Sequence, residues 1–204
     1  MNALGKWNIV IVGSWNTKIF SIPWVSRKLF GEAEVRGEFS ILPGFPMKYS
    51  AEDVELLPDD ERLTFQANVP SDEVLQRIET KATDTLRLLP ETPIRAVGAN
   101  FLFQERAPSD DLHRLFQLPD AQQLVDNGFA FTEIIINRRA PMNGGFMNLA
   151  LAMVAGGVRV NINYHCDVQE GAAAAQFLNG NVVSFKNRAV GLLAEVYDLH
   201  LEEA

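Results

Sequence analysis

The residues best suited to chemistry occupy one alternating stretch, residues 158–168, with the sequence VRVNINYHCDV. This alternation predicts a strand with two unlike faces. The apolar face would hold Val158, Val160, Ile162, Tyr164, Cys166 and Val168, and the polar face Arg159, Asn161, Asn163, His165 and Asp167. His165 and Asp167 offer an imidazole and a carboxylate for acid–base work or ligand binding. Same-face neighbours on a strand lie roughly 6.5–7 Å apart, so this pair would need further groups to hold a small ion or substrate.

Asparagine is a poor strand residue, so the polar row indicates a purpose beyond solubility. Three interpretations are open: a solvated sheet face, a hydrogen-bonded polar layer at a domain or subunit interface, and a ligand-binding or catalytic pocket. Buried amides would need partners, since an unsatisfied one costs roughly 1–3 kcal/mol. Other apolar runs contain the single asparagines Asn68, Asn100, Asn137 and Asn148. The predicted binding or interface residues are Asn100, Asn148, Arg159, Asn161, Asn163, His165 and Asp167, and no residue is assigned to catalysis.

The pair Gly156-Gly157 predicts a two-residue hairpin turn that pairs residues 146–155 with 158–168. With that turn, Ala155 faces Val158. The predicted register then places Arg159 opposite Val154, Asn161 opposite Ala152, Asn163 opposite Ala150, and His165 opposite Asn148. Alanines beside asparagines would leave room for a ligand, a second sheet or another subunit to approach closely.

Motifs for metal, cofactor or nucleophilic chemistry are missing from the sequence. The three histidines, His113, His165 and His200, have no metal-ligand spacing, so we predict no metal site and no cofactor. The turn after the first strand, at Gly13, matches neither a dinucleotide fingerprint nor a phosphate loop. The single cysteine, Cys166, is predicted to be a buried small hydrophobic residue.

The composition of the 204-residue chain is that of a globular protein, with 47% hydrophobic and 22% charged residues. A net charge of −8 argues against nucleic acid as the main partner, because phosphate surfaces attract basic patches. No signal peptide is evident, and no apolar stretch approaches the roughly 18 residues of a membrane span. One cysteine fits a reducing compartment. We therefore expect a cytoplasmic protein that does not enter the membrane.

The pattern of predicted elements indicates an α+β fold, with a mainly antiparallel sheet and helices packed on one side. Ser71 as N-cap and Pro90 as terminator define the clearest helix. A last helix is predicted to begin near Gly171 or Asn181. Strands are predicted at 7–12, 35–42, 63–69, 94–103, 130–138, 146–155 and 158–168, with short strands near 47–50 and 54–57 and short helices at 109–116 and 121–125. The chain is predicted to be a single compact domain, residues 1–204, or two similar β-rich halves, 1–104 and 128–204, each followed by a helix and joined by the polar segment 105–127.

Part of the sequence resembles a group of uncharacterised bacterial proteins. Residues 10–20 (VIVGSWNTKIF), followed by Pro23-Trp24, resemble that group's opening pattern Gly-x-Phe/Trp-Asn-Pro-x-Ile-Phe-x-Pro-x-Trp, with Thr17 where proline is usual. The strand motifs at 96–101 (AVGANF) and 161–165 (NINYH) are also similar, so the resemblance spans most of the chain. It implies no known activity. It suggests only that the Asn16 turn, Asn100 and the Asn161-Asn163-His165 row belong to one architecture.

These observations favour a binding or assembly module that acts as a homo-oligomer or as a subunit of a larger complex. The alternative is a small-molecule-binding protein or enzyme that uses His165 with neighbouring asparagine and aspartate side chains. The missing catalytic motifs weigh against an enzyme.

Overall fold

A computed structural model describes residues 1–31, 33–38, 47–129 and 131–202. Within these residues the chain forms ten strands and six α-helices. The strands are β1 (Asn2–Ala3), β2 (Asn8–Gly13), β3 (Arg36–Glu38), β4 (Lys48–Ala51), β5 (Val54–Pro58), β6 (Arg62–Ala67), β7 (Ile94–Glu105), β8 (Ile134–Met142), β9 (Gly145–Val154) and β10 (Gly157–Asp167). The helices are α1 (Ile22–Leu29), α2 (Asp72–Leu88), α3 (Asp110–Arg114), α4 (Ala121–Asp126), α5 (Gly171–Leu178) and α6 (Val182–Tyr197).

All ten strands belong to one antiparallel sheet. Their order is β3-β4-β5-β6-β2-β7-β10-β9-β8, and β1 adds a short pairing to β7. Pairing of β7 with β10 joins strands from the two predicted halves. The predicted α+β class, with mainly antiparallel sheet and helices on one side, is confirmed.

The helix α2 forms as the sequence predicts. The Ser71 side chain accepts a hydrogen bond from the Val74 N–H, and Asp72 and Glu73 occupy the first turn, where the helix dipole favours negative charge. The apolar stripe Leu75, Ile78, Ala82 and Leu86 is buried. This stripe holds α2 against β2 and β6.

Two helices occupy the C-terminal region, where the sequence predicts one helix with two candidate starts. Gly180 adopts a φ of +74° between α5 and α6, which breaks the helical path. The carboxylate of Glu79, on α2, accepts hydrogen bonds from the backbone N–H groups of Gly180 (2.6 Å) and Val182 (2.9 Å). It thereby caps the start of α6 from a neighbouring helix.

One predicted strand has different bounds in the structure, and another is described only in part. The prediction at 130–138 is wrong in its bounds, because β8 runs from Ile134 to Met142 and pairs with β9 through the turn Asn143-Gly144. Gly144 adopts a φ of +79°, a conformation that glycine reaches without steric cost. Within the strand predicted at 35–42, residues 36–38 form β3, and residues 39–42 lie outside the described residues.

The helices define two unlike faces of the sheet. The face towards α2, α5 and α6 carries the apolar core, including Ile9, Phe65, Phe101, Leu151 and Ile162, all nearly inaccessible to solvent. We call the opposite surface of the sheet the open face, because many of its side chains are half-buried or exposed. No helix in the described part of the chain is long and apolar enough to cross a membrane.

Candidate functional site

The predicted alternation along β10 is present in the structure. Val158, Val160, Ile162 and Tyr164 are buried towards the helices. The polar set points to the open face: Arg159, Asn161 and Asp167 are exposed, and Asn163 and His165 are half-buried. Cys166 lies half-buried on the apolar side. Burial raises the pKa of its thiol, and the neighbouring Asp167 carboxylate raises it further.

The predicted hairpin register is wrong by two residues. The turn residues are Ala155 and Gly156, and Gly157 already pairs with Val154. Gly157 has a φ of +114°, and a Cβ atom there would lie 2.0 Å from the Glu105 carbonyl oxygen of β7. The second glycine is therefore required both by its positive φ directly after the turn and by the close approach of β7. Because side chains alternate with a period of two, a shift of two residues leaves each side chain on its predicted face of the sheet.

The corrected register changes the partners of the polar row. Asn163 lies opposite Asn148 rather than Ala150, and Asn161 lies opposite Ala150 rather than Ala152. The remaining pairs are Arg159 with Ala152 and His165 with Phe146.

The corrected register places four asparagines side by side on the open face, in β2, β7, β10 and β9. We call Asn8, Asn100, Asn163 and Asn148 the asparagine ladder. The Nδ2 of Asn148 donates to Oδ1 of Asn163 (2.9 Å), and Nδ2 of Asn163 donates to Oδ1 of Asn100 (2.8 Å). Asn100 donates to Asn8 (2.7 Å), which donates to the Lys6 carbonyl oxygen (2.9 Å). Each hydrogen bond thus fixes the orientation of the neighbouring side-chain amide.

Sequence reasoning predicted three members of the ladder and missed Asn8. The sequence does indicate the orientation of Asn8, because Asn8 alternates with the buried residues Ile9 and Ile11 on β2 and therefore faces away from the core. The ladder continues to Arg139 of β8, opposite Asn148, and to Gln66 of β6, opposite Asn8. Two further predicted asparagines lie outside it: Asn137 is exposed opposite Ala150, and Asn68 follows β6.

His165 and Asp167 lie at one end of the polar row and contact each other. Nε2 of His165 is 2.8 Å from Oδ1 of Asp167. The cross-strand neighbours of His165 are Gly98 and Phe146, which bring no second ionisable group. Among the described residues, no group of three or more histidine, cysteine, aspartate or glutamate side chains is arranged to hold a metal ion.

A shallow depression of about 290 Å³ lies beside the ladder, between β8, β9 and β10. Its walls include Asn137, Arg139, Ala150 and Asn161. The Arg139 guanidinium lies 3.8 Å from the centre of the Phe146 ring, a cation–π contact that fixes its position. The depression is at the small end of the range of ligand sites, so the open face is better suited to a flat contact than to enclosing a molecule.

A larger cavity of about 1240 Å³ lies on the helix side of the sheet, against α5 and α6. Asp167, at the end of β10, is the one predicted site residue that lines it. Sequence reasoning missed this cavity, because its walls come from segments far apart in the chain.

Comparison of the chain with known protein-family models gives no match, and comparison with curated protein sequences gives none either. The resemblance of residues 10–20 to a group of bacterial proteins therefore stays a prediction.

Proposed function

We propose that the protein is an assembly module in which two copies pack their open sheet faces together. The observation that carries the proposal is the asparagine ladder, an ordered row of amides across the middle of an uncovered sheet face. The single cysteine, which is a free thiol, fits a reducing cytoplasmic location for such an assembly.

The ladder lowers the cost of covering this face. Burying an amide is costly chiefly when its donor or acceptor loses water without gaining a partner. Here the side chains of Asn100 and Asn163 each donate one hydrogen bond and accept another within the ladder. These bonds also hold the side chains in place before contact, so little rotamer freedom remains to be lost on association.

The size of the face suits a stable dimer. Nine strands at a spacing of about 4.8 Å make it about 40 Å wide, and strands of about seven residues make it about 24 Å tall. The resulting area of about 950 Å² is somewhat more than the roughly 800 Å² that one partner contributes to a standard protein–protein interface.

The composition of the face favours a second copy as the partner. A two-fold interface brings the same patch together twice, so the patch must complement itself. Amides do so because each carries donors and an acceptor. The half-buried Val10, Val12 and Leu102 add apolar area, and small side chains at Ala150 and Ala152 permit close approach.

The test is the mass of the protein in solution, measured by light scattering and mass photometry across micromolar concentrations. The wild-type protein is expected to be a dimer. Ala152→Glu should weaken dimerisation at least about tenfold, because its larger side chain occupies the space that Ala152 leaves for the second copy and its carboxylate must lose water on contact. The new carboxylate would face Arg159 across the strand pair, which keeps the monomer folded.

Ala172→Glu, on the exposed surface of α5, is the matched control and should leave the dimer intact. A wild-type protein that stays monomeric, or equal weakening by both variants, would contradict the proposal.

The alternative function, ligand binding or catalysis through His165, has less support. His165 is on the open face, its Nε2 contacts Asp167, and Gly98 and Phe146 flank it. This arrangement lacks the concave, convergent polar groups that acid–base chemistry needs.

A further inference from the structure

The large cavity lies on the helix side of the sheet and meets the open face at Asp167, at the end of β10. It lies where the first residues of β7 and the last residues of β10 meet the β8–β9 turn, α5 and α6. Its volume of about 1240 Å³ is more than sufficient for a small organic molecule.

One wall of the cavity is aromatic and well ordered by packing. The ring of Phe185 stacks on Tyr164 with centroids 4.6 Å apart, and Phe177 packs against Phe185 at 5.2 Å. Phe185 is buried and Phe177 is half-buried. Ile94 and Met142 extend this apolar surface. Such a wall favours a flat or aliphatic body over a hydrated ion.

The polar part of the lining includes two arginines. Arg95, at the start of β7, and Arg188, on α6, both line the cavity. Neither guanidinium forms a hydrogen bond or ion pair with another side chain in the described part of the chain. Asp167 is the one carboxylate in the lining among the described residues, and it is engaged by His165 on the open-face side.

The charge of Arg188 acts on Tyr164, which stacks against Phe185 of the aromatic wall. Burial raises the pKa of Tyr164, and the positive charge of Arg188 acts in the opposite direction. A negative charge brought into the cavity would therefore be attracted towards α6, even though the protein as a whole carries a net charge of −8.

We propose that this cavity binds a small aromatic carboxylate, whose ring packs on Phe177 and Phe185 and whose carboxylate pairs with Arg188 and Arg95. Guanidinium and carboxylate groups match in geometry and charge, and the aromatic wall supplies the remaining contact. The proposal is independent of the assembly proposed above, because none of these four residues lies on the open face.

The probe for the test is 3-phenylpropanoate, titrated by calorimetry into the wild-type protein, with the neutral 3-phenylpropanol as comparison. The carboxylate should bind at submillimolar concentration and the alcohol at least about tenfold more weakly. Arg188→Gln and Arg95→Gln should each weaken carboxylate binding about tenfold, since each removes one charged partner. Both arginines are exposed, so the variants should fold.

Arg27→Gln, on the exposed surface of α1, is the matched control, because it removes the same charge at a place that belongs neither to the cavity lining nor to the open face. It should leave the affinity unchanged within about twofold. Three results would overturn the proposal: no binding of 3-phenylpropanoate up to millimolar concentration, equal affinity for the alcohol, or equal weakening by Arg27→Gln and Arg188→Gln.

Cys166 provides a second readout, because it lines the cavity and is the single cysteine of the chain. Saturating 3-phenylpropanoate should slow its alkylation by iodoacetamide several-fold, whereas 3-phenylpropanol at the same concentration should not. An alkylation rate that is the same with and without the carboxylate would contradict occupancy of this cavity.

Discussion

Asparagine has a low intrinsic propensity for β-strands. The hydrogen bonds of the asparagine ladder explain why four asparagines are tolerated on strands here. Each amide lies one strand spacing from the next, close enough for a hydrogen bond of 2.7–2.9 Å. A local cost in strand propensity is offset by interactions that exist only when β2, β7, β9 and β10 are assembled. The ladder therefore favours this strand order over others.

Asn163→Ala should destabilise the folded protein by about 1 to 2 kcal/mol, since it removes the bonds to both Asn100 and Asn148. Asn161→Ala, on the same strand and face, is the control. Asn161 is exposed and its side chain forms no hydrogen bond with the described residues, so the expected change is within about 0.5 kcal/mol.

Both changes are best measured by urea denaturation in the Ala152→Glu background, where assembly does not contribute to stability. Equal losses for Asn163→Ala and Asn161→Ala would mean that the ladder bonds add nothing beyond ordinary solvation.

At the scale of elements, the β9–β10 hairpin and its neighbour β7 are inseparable. Gly156 and Gly157 look equivalent in the sequence, yet they meet different surroundings. A Cβ atom on Gly156 would have the flexible Gln104 side chain as nearest neighbour at 3.5 Å, whereas one on Gly157 would meet the Glu105 carbonyl oxygen at 2.0 Å. The close approach of β7 therefore requires glycine at position 157 but not at position 156.

Gly157→Ala should therefore destabilise the protein by about 2 to 3 kcal/mol, because β7 must shift and the residue is held at a positive φ. Gly156→Ala should change stability by no more than about 0.5 kcal/mol. Thermal and urea unfolding of the two variants measure the difference. If both glycines prove equally sensitive, the turn would be the two-residue Gly156-Gly157 turn and the observed register would be wrong.

At the scale of the whole molecule, the two predicted halves contribute to the same sheet and to the same layer of helices. In the sheet, β7 and β10 pair along ten residues, from Val158 with Glu105 to Asp167 with Ala96. In the helical layer, Lys186 of α6 forms an ion pair with Asp72 of α2 at 2.8 Å, and Glu79 of α2 caps α6. Neither half could separate without exposing the core surface of the other.

We expect a single cooperative unfolding transition. The three tryptophans, Trp7, Trp15 and Trp24, lie in the first half, so their fluorescence reports on that half alone. Hydrogen exchange of the β9 and β10 amides reports on the second half. The two probes should give the same free energy of unfolding. Transitions that differ in midpoint would instead support two independent halves.

Some features of this protein follow from the sequence alone. The α+β class, the ends of α2 and the two faces of β10 depend on local signals: capping residues, proline and strict alternation. These signals act over a few residues, so the predictions based on them stay correct even when the predicted strand pairing is wrong. The wrong hairpin turn illustrates this point, because a slip of two residues left Asn161 and Asn163 on their predicted face.

Other features were decided only by the tertiary structure. Residues distant in the chain, such as Asn8, Asn100 and Asn163, become neighbours because non-consecutive strands pair, and no local pattern encodes that order. The cavity between Arg95 and Arg188 arises in the same way, from a strand end and a helix that are remote in the sequence. Local chemistry determined which side chains face outwards. Long-range packing decided which of them meet, because strand order is set by burial of the whole core rather than by any one segment.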